Sequence, residues 1–230
     1  RARLAQRWPE MSWVSWDSTV SDAPVAGSEI AFGRAMREVF DFERAAAIVA
    51  FDRDFLHLEP GSEINARTFA ASRRVLRAGD PMSRLYVAES GMTLTGAQAD
   101  HRWRLPPSRV SAFAVALARE VASRLPGGDI APLKTALDRL DIPAGEDLDL
   151  PAVSAVADDL VEHRGRGVVC AGETQPAEVH AICHALNAAL GNVGSTIRYM
   201  PMDEAESASP AAGLAGVAQR LDAGAVDTVV

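Results

Sequence analysis

Cysteine is scarce: Cys170 and Cys183 are the only two in 230 residues. They are too few for an all-cysteine zinc site or an iron-sulfur cluster, so any such cluster must draw on residues outside this sequence. No run approaches the roughly 18 apolar residues that a membrane-spanning helix requires, and the basic start Arg1-Ala-Arg-Leu lacks the apolar core of a signal peptide. Basic charge is short as well. Lys and Arg number 23 against 31 Asp and Glu, a net charge of -8, which removes a broad electrostatic attraction to nucleic acid. Three phosphate and nucleophile motifs are missing: G-x-G-x-x-G after a strand, G-x-x-x-x-G-K-S/T, and G-x-S-x-G. The main support for a nicotinamide dehydrogenase, a Walker-type nucleotidase or an α/β-hydrolase goes with them.

What is present is a hydrophobic content of 48%, enough for one large or two small packed domains. Strand signals fall at Ser12 to Trp16, Ala45 to Phe51, Arg84 to Ala88, Gly167 to Ala171, Ser195 to Met200 and Ala225 to Val230. Most are continuous apolar runs, as in a sheet covered on both faces. Helical spacing fills the gaps. Ile30, Met36, Val39 and Phe40 share a face after Ser28; Val110, Phe113, Leu117, Val121 and Leu125 do so after Ser108, behind Pro106-Pro107. Further helices are expected from Ile130 to Leu140 behind Asp129, from Val153 to Leu160, from Val179 to Leu190 ending at Gly191, and over Leu214-Val217-Leu221. Strands alternating with helices predict an α/β fold: a three-layer αβα arrangement with a mainly parallel, Rossmann-like sheet. The acidic, Pro-containing segment Ile142 to Pro151 is expected to be a surface loop that could part the lobe into halves 1–143 and 144–230. A chain that starts with Arg and stops inside an apolar run is expected to be a piece, residues 1–230, of a longer protein.

Open α/β sheets place ligands at the carboxyl ends of their strands. That directs attention to Glu89 to Arg102, E-S-G-M-T-L-T-G-A-Q-A-D-H-R, which follows the strand signal Arg84 to Ala88. Gly91 and Gly96 permit tight turns, Thr93 and Thr95 offer hydroxyls, and Asp100, His101 and Arg102 form a charged cluster. Asp52-Arg-Asp54 closes the preceding strand and sets two carboxylates at the same edge, where they could bind metal, move protons, or simply form a charged turn. Gly191-Asn-Val-Gly194-Ser195 could cradle a phosphate or pterin through backbone N–H groups, or only end a helix and admit the next strand. His180 and His184 stand four residues apart on one helix, a spacing by which two imidazoles can share a metal, although the H-E-x-x-H glutamate is absent. Cys183 falls near the apolar face and reads as a small buried hydrophobe. Arg73, Arg74 and Arg77 cluster at a helix end, where cations meet the macrodipole or could grip a phosphate or an acidic partner. Trp8, Trp13, Trp16 and Trp103 read as packing or interface residues.

Several blocks resemble a known superfamily: A-I-V-A-F-D-R-D-F-L (Ala47 to Leu56), F-A-A-S-R-R (Phe69 to Arg74), M-S-R-L-Y-V-A-E-S (Met82 to Ser90), L-T-G-A-Q-A-D-H-R (Leu94 to Arg102), and Ala171 to Gly194. In order and over nearly the whole chain, they resemble molybdopterin oxidoreductases, in particular the iron-sulfur, molybdopterin-like subunit of alternative complex III. The resemblance implies a lobe that in catalytic members helps hold a bis-molybdopterin guanine dinucleotide through loops at the sheet edge. Three such loops differ here. Asp52-Arg-Asp-Phe55 replaces a G-x-N-P type turn with carboxylates that would repel a pyrophosphate. Pro106-Pro107-Ser108-Arg109 replaces a P-G-T-D type turn and loses backbone donors. The stretch Val20 to Gly27, where a metal-ligating Cys would be expected, offers only Ser21 and Asp22.

The resemblance therefore implies a cofactor-free structural lobe of an iron-sulfur subunit in a membrane-associated quinol oxidoreductase. This lobe would not be catalytic alone, and would lie on the periplasmic face against the rest of its chain and other redox subunits. Iron-sulfur clusters would belong to other parts of that chain. One alternative is an active lobe binding molybdopterin guanine dinucleotide, with Thr93, Thr95, Gly96, Asp100, His101, Arg102, Gly191 and Gly194 lining the cleft. A third reading is a small-ligand or metal-binding α/β module using His180 and His184.

Overall fold

The computed structural model describes residues 2–14, 16–127, 130–138, 148–203 and 210–229. It divides into two compact units, residues 23–202 and a second made of 1–22 with 203–230.

The larger unit is built on a four-stranded, all-parallel sheet. Its strands are β2 (Ala47–Phe51), β3 (Arg84–Glu89), β4 (His101–Arg104) and β5 (Gly167–Ala171), in the spatial order β4-β3-β2-β5. The short apolar runs AIVAF and GVVCA are buried along their whole length, as a sheet covered on both faces requires. Alternate side chains serve opposite faces. Ala47, Val49, Phe51, Tyr86, Val169 and Ala171 join one core beneath α5 (Pro107–Arg124), α6 (Ala131–Asp138), α7 (Leu150–Glu162) and α8 (Ala177–Ala189). Ile48, Ala50, Leu85, Val87, Val168 and Cys170 join the other core, with Phe69 of α3 (Ser62–Ser72) and the stacked rings of Phe40, Phe42 and Phe55. This is the three-layer αβα arrangement expected from the sequence. β5 lies beside β2, so the chain before and after residue 143 shares one sheet; the expected divide itself, at residues 143–144, lies outside the described residues.

Several expectations are corrected. Residues 36–40 are not part of the helix after Ser28. That helix, α2 (Ala23–Phe32), stops at Gly33, whose φ of 71° suits a left-handed cap. Met36–Phe40 instead forms β1, paired antiparallel with β6 (Ile197–Pro201) from Met36 opposite Pro201 to Phe40 opposite Ile197. Helix-like spacing of Ile30, Met36, Val39 and Phe40 was coincidence across a helix stop. The Gly91 to Arg102 segment is not one loop. It makes a single helical turn, α4 (Leu94–Ala97), and then β4, which carries His101 and Arg102. Pro151 begins α7 and does not sit in a loop, because the Asp149 side chain caps that helix by accepting from the Ala152 N–H at 3.2 Å. Asp129 lies outside the described residues.

In the smaller unit, α1 (Ala2–Arg7) and α9 (Pro210–Asp222) are the helices among the described residues. Arg220 donates to the Ser12 hydroxyl at 2.7 Å. Neither expected strand forms there: no strand is found in the described parts of 12–16 and 225–230. Among the described residues no helix is long and apolar enough to cross a membrane.

Candidate functional site

The strand order turns around at β2 and β5: one chain direction leads from β2 to β3 and β4, the other to β5. Outside the carboxyl ends of these two strands lies the crevice where such sheets bind ligands. Here the chain's own groups fill it.

β2 runs into Asp52, held at a φ of 48°, a left-handed conformation uncommon outside glycine. Its carboxylate accepts from the Ser90 N–H at 2.7 Å and the Ser90 hydroxyl at 3.1 Å on one oxygen, and from the Gln175 side chain at 2.8 Å on the other. Gln175 in turn accepts from the buried Ser111 hydroxyl at 2.9 Å. Gly172, just past β5, packs so tightly on the Asp52 carbonyl that an added Cβ would also lie 3.0 Å from the Arg53 Cα. Backbone meets backbone across the crevice floor.

Arg53 forms the second layer. Its guanidinium pairs with Glu38 of β1 at 2.5 Å and with Glu59 at 2.6 Å, donates to the Ala171 carbonyl at 2.9 Å, and lies 4.8 Å over the Phe40 ring. Burial pushes the Glu38 carboxyl up, but the Arg53 charge and the two nearby histidines outweigh it and hold it below the usual range. Burial would lower Arg53, yet Glu38 and Glu59 raise it. Glu59 goes the other way: burial, with Glu38 and Glu173 adding repulsion, raises it to about 7 despite Arg53.

Glu89 is the third hub. It is 1% exposed, and its carboxylate accepts from Arg102 Nε at 2.5 Å and from the Thr93 hydroxyl at 2.7 Å. Gly96 lies directly on this carboxylate, where any Cβ would collide. Thr93 also caps α4 by accepting from the Gly96 N–H at 2.9 Å. Thr95, fully buried, donates its hydroxyl to Asp54 at 2.8 Å, and its N–H reaches the same oxygen at 3.0 Å.

The structure therefore brings Thr93, Thr95, Gly96 and Arg102 together at the carboxyl edge, where they bond to Glu89 and Asp54. Asp100 sits towards the amino end of β3: it accepts two bonds from Arg73, at 2.6 and 2.7 Å, and one from the Leu85 N–H at 2.7 Å. Those bonds, Arg73 foremost, hold its carboxyl below the usual range. His101 is exposed and stacks on Tyr86 with ring centres 5.2 Å apart. Gly191 and Gly194 lie at the opposite edge, because their neighbour Asn192 accepts from the N–H of Gly167, the first residue of β5. Both have positive φ, 71° and 85°, and their N–H groups already bond Ala188 and Ile197.

His180 and His184 are each 2% exposed on α8, beneath β1 and β6. His184 Nδ1 lies 3.1 Å from the Tyr199 hydroxyl and 3.5 Å from Glu38, while the Nε2 of both rings has no protein hydrogen-bond partner. Burial pushes His180 down to about 4 and lowers His184 too, so both are neutral at pH 7. Among the described residues, the three ligand-type side chains that converge within 4.8 Å are Asp159, Glu162 and His163. There Arg84 and Tyr86 already bond Asp159, at 2.6 and 2.9 Å. Cys170 and Cys183 are buried free thiols whose pKa burial pushes up, as fits structural and not nucleophilic cysteines.

The sequence pointed to Asp52, Asp54, the threonines and the segment that begins at Glu89, but not to Glu38, Glu59, Gln175 and Tyr199 as members of the site. Glu38 was hidden by the mistaken helix, and the others have no local spacing that marks them.

No family model matches the chain, and no curated protein does. Among solved structures, acetylene hydratase from Pelobacter acetylenicus is similar to it, with a TM-score of 0.54 and 12% identity. The match covers 77% of this chain and 25% of that one, so this chain spans about a quarter of that protein's length. At this identity the likeness concerns the fold.

Proposed function

We propose that this chain is a structural, cofactor-free lobe of the molybdopterin-oxidoreductase type, working as scaffold within the iron-sulfur subunit of a membrane-associated quinol oxidoreductase. One observation carries the reading: the crevice at the β2–β5 switch point is closed by Gly172 on the Asp52 carbonyl and by the Glu38–Arg53–Glu59 ion pairs above it. A pterin pyrophosphate needs free N–H donors and cations at such an edge. The residues here do not fit it. Asp52, Asp54 and Glu89 direct carboxylates to the loops, and the cations Arg53 and Arg102 already pair with carboxylates. Thr93, Thr95 and Gly96 are likewise committed to internal bonds and packing. The loops thus serve as joints that fix the lobe's own edge, leaving its outer surfaces to neighbouring parts of the chain and other subunits. The likeness in fold to part of a much longer enzyme supports reading it as a lobe.

The test is a molybdenum, tungsten and pterin assay on the full-length protein purified from its native membrane. The expected result is no stoichiometric metal or pterin alongside intact iron-sulfur signals. One metal and pterin per lobe would overturn the proposal and restore the reading in which the Gly91 to Arg102 segment contacts a cofactor.

A further inference from the structure

Helix α2 rests on α8 at Gly27, whose missing side chain lets the two backbones approach; a Cβ there would collide with His180. Next to that contact, Ala181, Ala185 and Ala188 of α8 face Ile30 and Phe32 of α2 and Ala136 of α6 across a cavity of about 310 Å³. Its volume is that of a small-molecule site, and so is its lining, mostly apolar with few polar groups. His184 is one of those groups. It follows Ala181 by three residues and precedes Ala188 by four, so it leaves α8 on the cavity's face, and its ring centre lies 5.2 Å from that of Phe32. The side chain is 2% exposed. Its Nδ1 meets the Tyr199 hydroxyl at 3.1 Å, but its Nε2 has no protein partner. Small residues alone would leave only a gap between helices, whereas a buried ring nitrogen without a partner calls for a polar group from elsewhere.

We propose that this cavity is a binding site for a compact, uncharged, mainly apolar molecule with one hydroxyl, of the size of a naphthol, which exchanges a hydrogen bond with His184 Nε2. The apolar wall sets the body of the ligand, and the unpartnered nitrogen on it sets the polar group. A hydroxyl both donates and accepts, so it serves Nε2 in either tautomer of the neutral ring. A carboxylate is turned away: Glu178 stands on the same wall, and Glu38 lies 3.5 Å from the Nδ1 of the same ring. Helices α2, α6 and α8 make the site and the loops at the sheet's carboxyl edge do not, so the metal and pterin assay leaves it untouched.

The experiment is an NMR titration of the 230-residue chain with 1-naphthol, naphthalene and 1-naphthoate, following the backbone amides and the imidazole nitrogens. 1-Naphthol is expected to bind saturably, with amide shifts centred on residues 181–188 and 132–136 and a shift of the His184 Nε2 resonance. Naphthalene should bind about two- to tenfold more weakly, the worth of one net hydrogen bond, and 1-naphthoate should not bind. His184→Phe should bring 1-naphthol down to the affinity of naphthalene. Ala188→Phe, at an exposed position where folding is not at risk, should close the cavity to both. No saturable binding of 1-naphthol, with water alone serving Nε2, would overturn the site. Equal affinity for 1-naphthol and naphthalene, 1-naphthoate binding as tightly as 1-naphthol, shifts centred outside the three helices, or binding that survives Ala188→Phe would do the same.

Discussion

Buried titratable groups beneath the crevice give the lobe two opposing responses to acid. His180 titrates at about 4 because burial disfavours its charged form. Its unfolded value is near 6.5, so the neutral ring adds stability above 6.5 that is lost as pH falls towards 4. Glu59 does the reverse: raised to about 7 from 4.5, it destabilises when ionised, and stability recovers as pH falls from 7 to 4.5. Between 4.5 and 6.5 the two slopes oppose each other in the wild type. Glu59→Gln removes only the second. Urea unfolding at a series of pH values is therefore expected to show a steeper loss of stability on acidification in Glu59→Gln than in the wild type, by up to ~1.4 kcal/mol per pH unit. Equal slopes in the two proteins would mean that Glu59 does not carry a raised pKa. At this scale the sequence was legible where a residue type alone carries information, as with Asp52 and Asp54 at a strand end. Glu38 and Tyr199 meet His184, and Glu59 meets Arg53, only through tertiary packing, and nothing in their neighbours along the chain foretells it.

The two edges of the parallel sheet are finished differently. At β5, whose outer backbone groups have no strand beside them among the described residues, side chains take a strand's place. Asn187 of α8 accepts from the Val169 N–H at 3.0 Å and donates to the Val169 carbonyl at 2.6 Å; Asn192 accepts from the Gly167 N–H at 3.1 Å, and the Thr196 hydroxyl donates to the Gly167 carbonyl. All are buried. At β4 the edge is instead short and charged, with Arg102 and Arg104, a common way to discourage strand addition. Asn187→Ala is expected to leave the buried Val169 N–H and carbonyl without partners. The cost is about 2–5 kcal/mol, read as a lower urea midpoint together with faster hydrogen exchange at Val169. A loss under ~1 kcal/mol would show that water or a rearranged Asn192 replaces the carboxamide. The three parallel strands β2, β3 and β5 were legible because AIVAF, LYVA and GVVCA are uninterrupted apolar runs. β1 and β4 were not, since M-R-E-V-F and H-R-W-R are half polar and one sheet face or edge of each is wet. The role of Asn187 and Asn192 at this edge was not legible, because a side chain that mimics a strand leaves no periodic trace.

At the scale of the whole molecule, the described residues of both apolar cores lie within residues 23–202. The tryptophans divide the same way. Trp8, Trp13 and Trp16 belong to the smaller unit and are 53–56% exposed, whereas Trp103 packs on Phe113 with ring centres 5.1 Å apart and stacks along Tyr86. If the cores alone specify the αβα fold, a chain cut to residues 23–202 should remain folded. It should unfold in one cooperative step and emit fluorescence from a single, partly shielded tryptophan. Its emission is expected at shorter wavelength than that of the 230-residue chain, whose signal three exposed rings dominate, and its near-ultraviolet circular dichroism from Trp103 and Tyr86 should persist. A broad, non-cooperative transition would instead mean that residues 1–22 and 203–230 supply stability that the two cores lack. The lobe would then depend on flanking segments, as a scaffold element seated among neighbours would, and the boundary of its independent folding would lie outside the sheet and its covering helices.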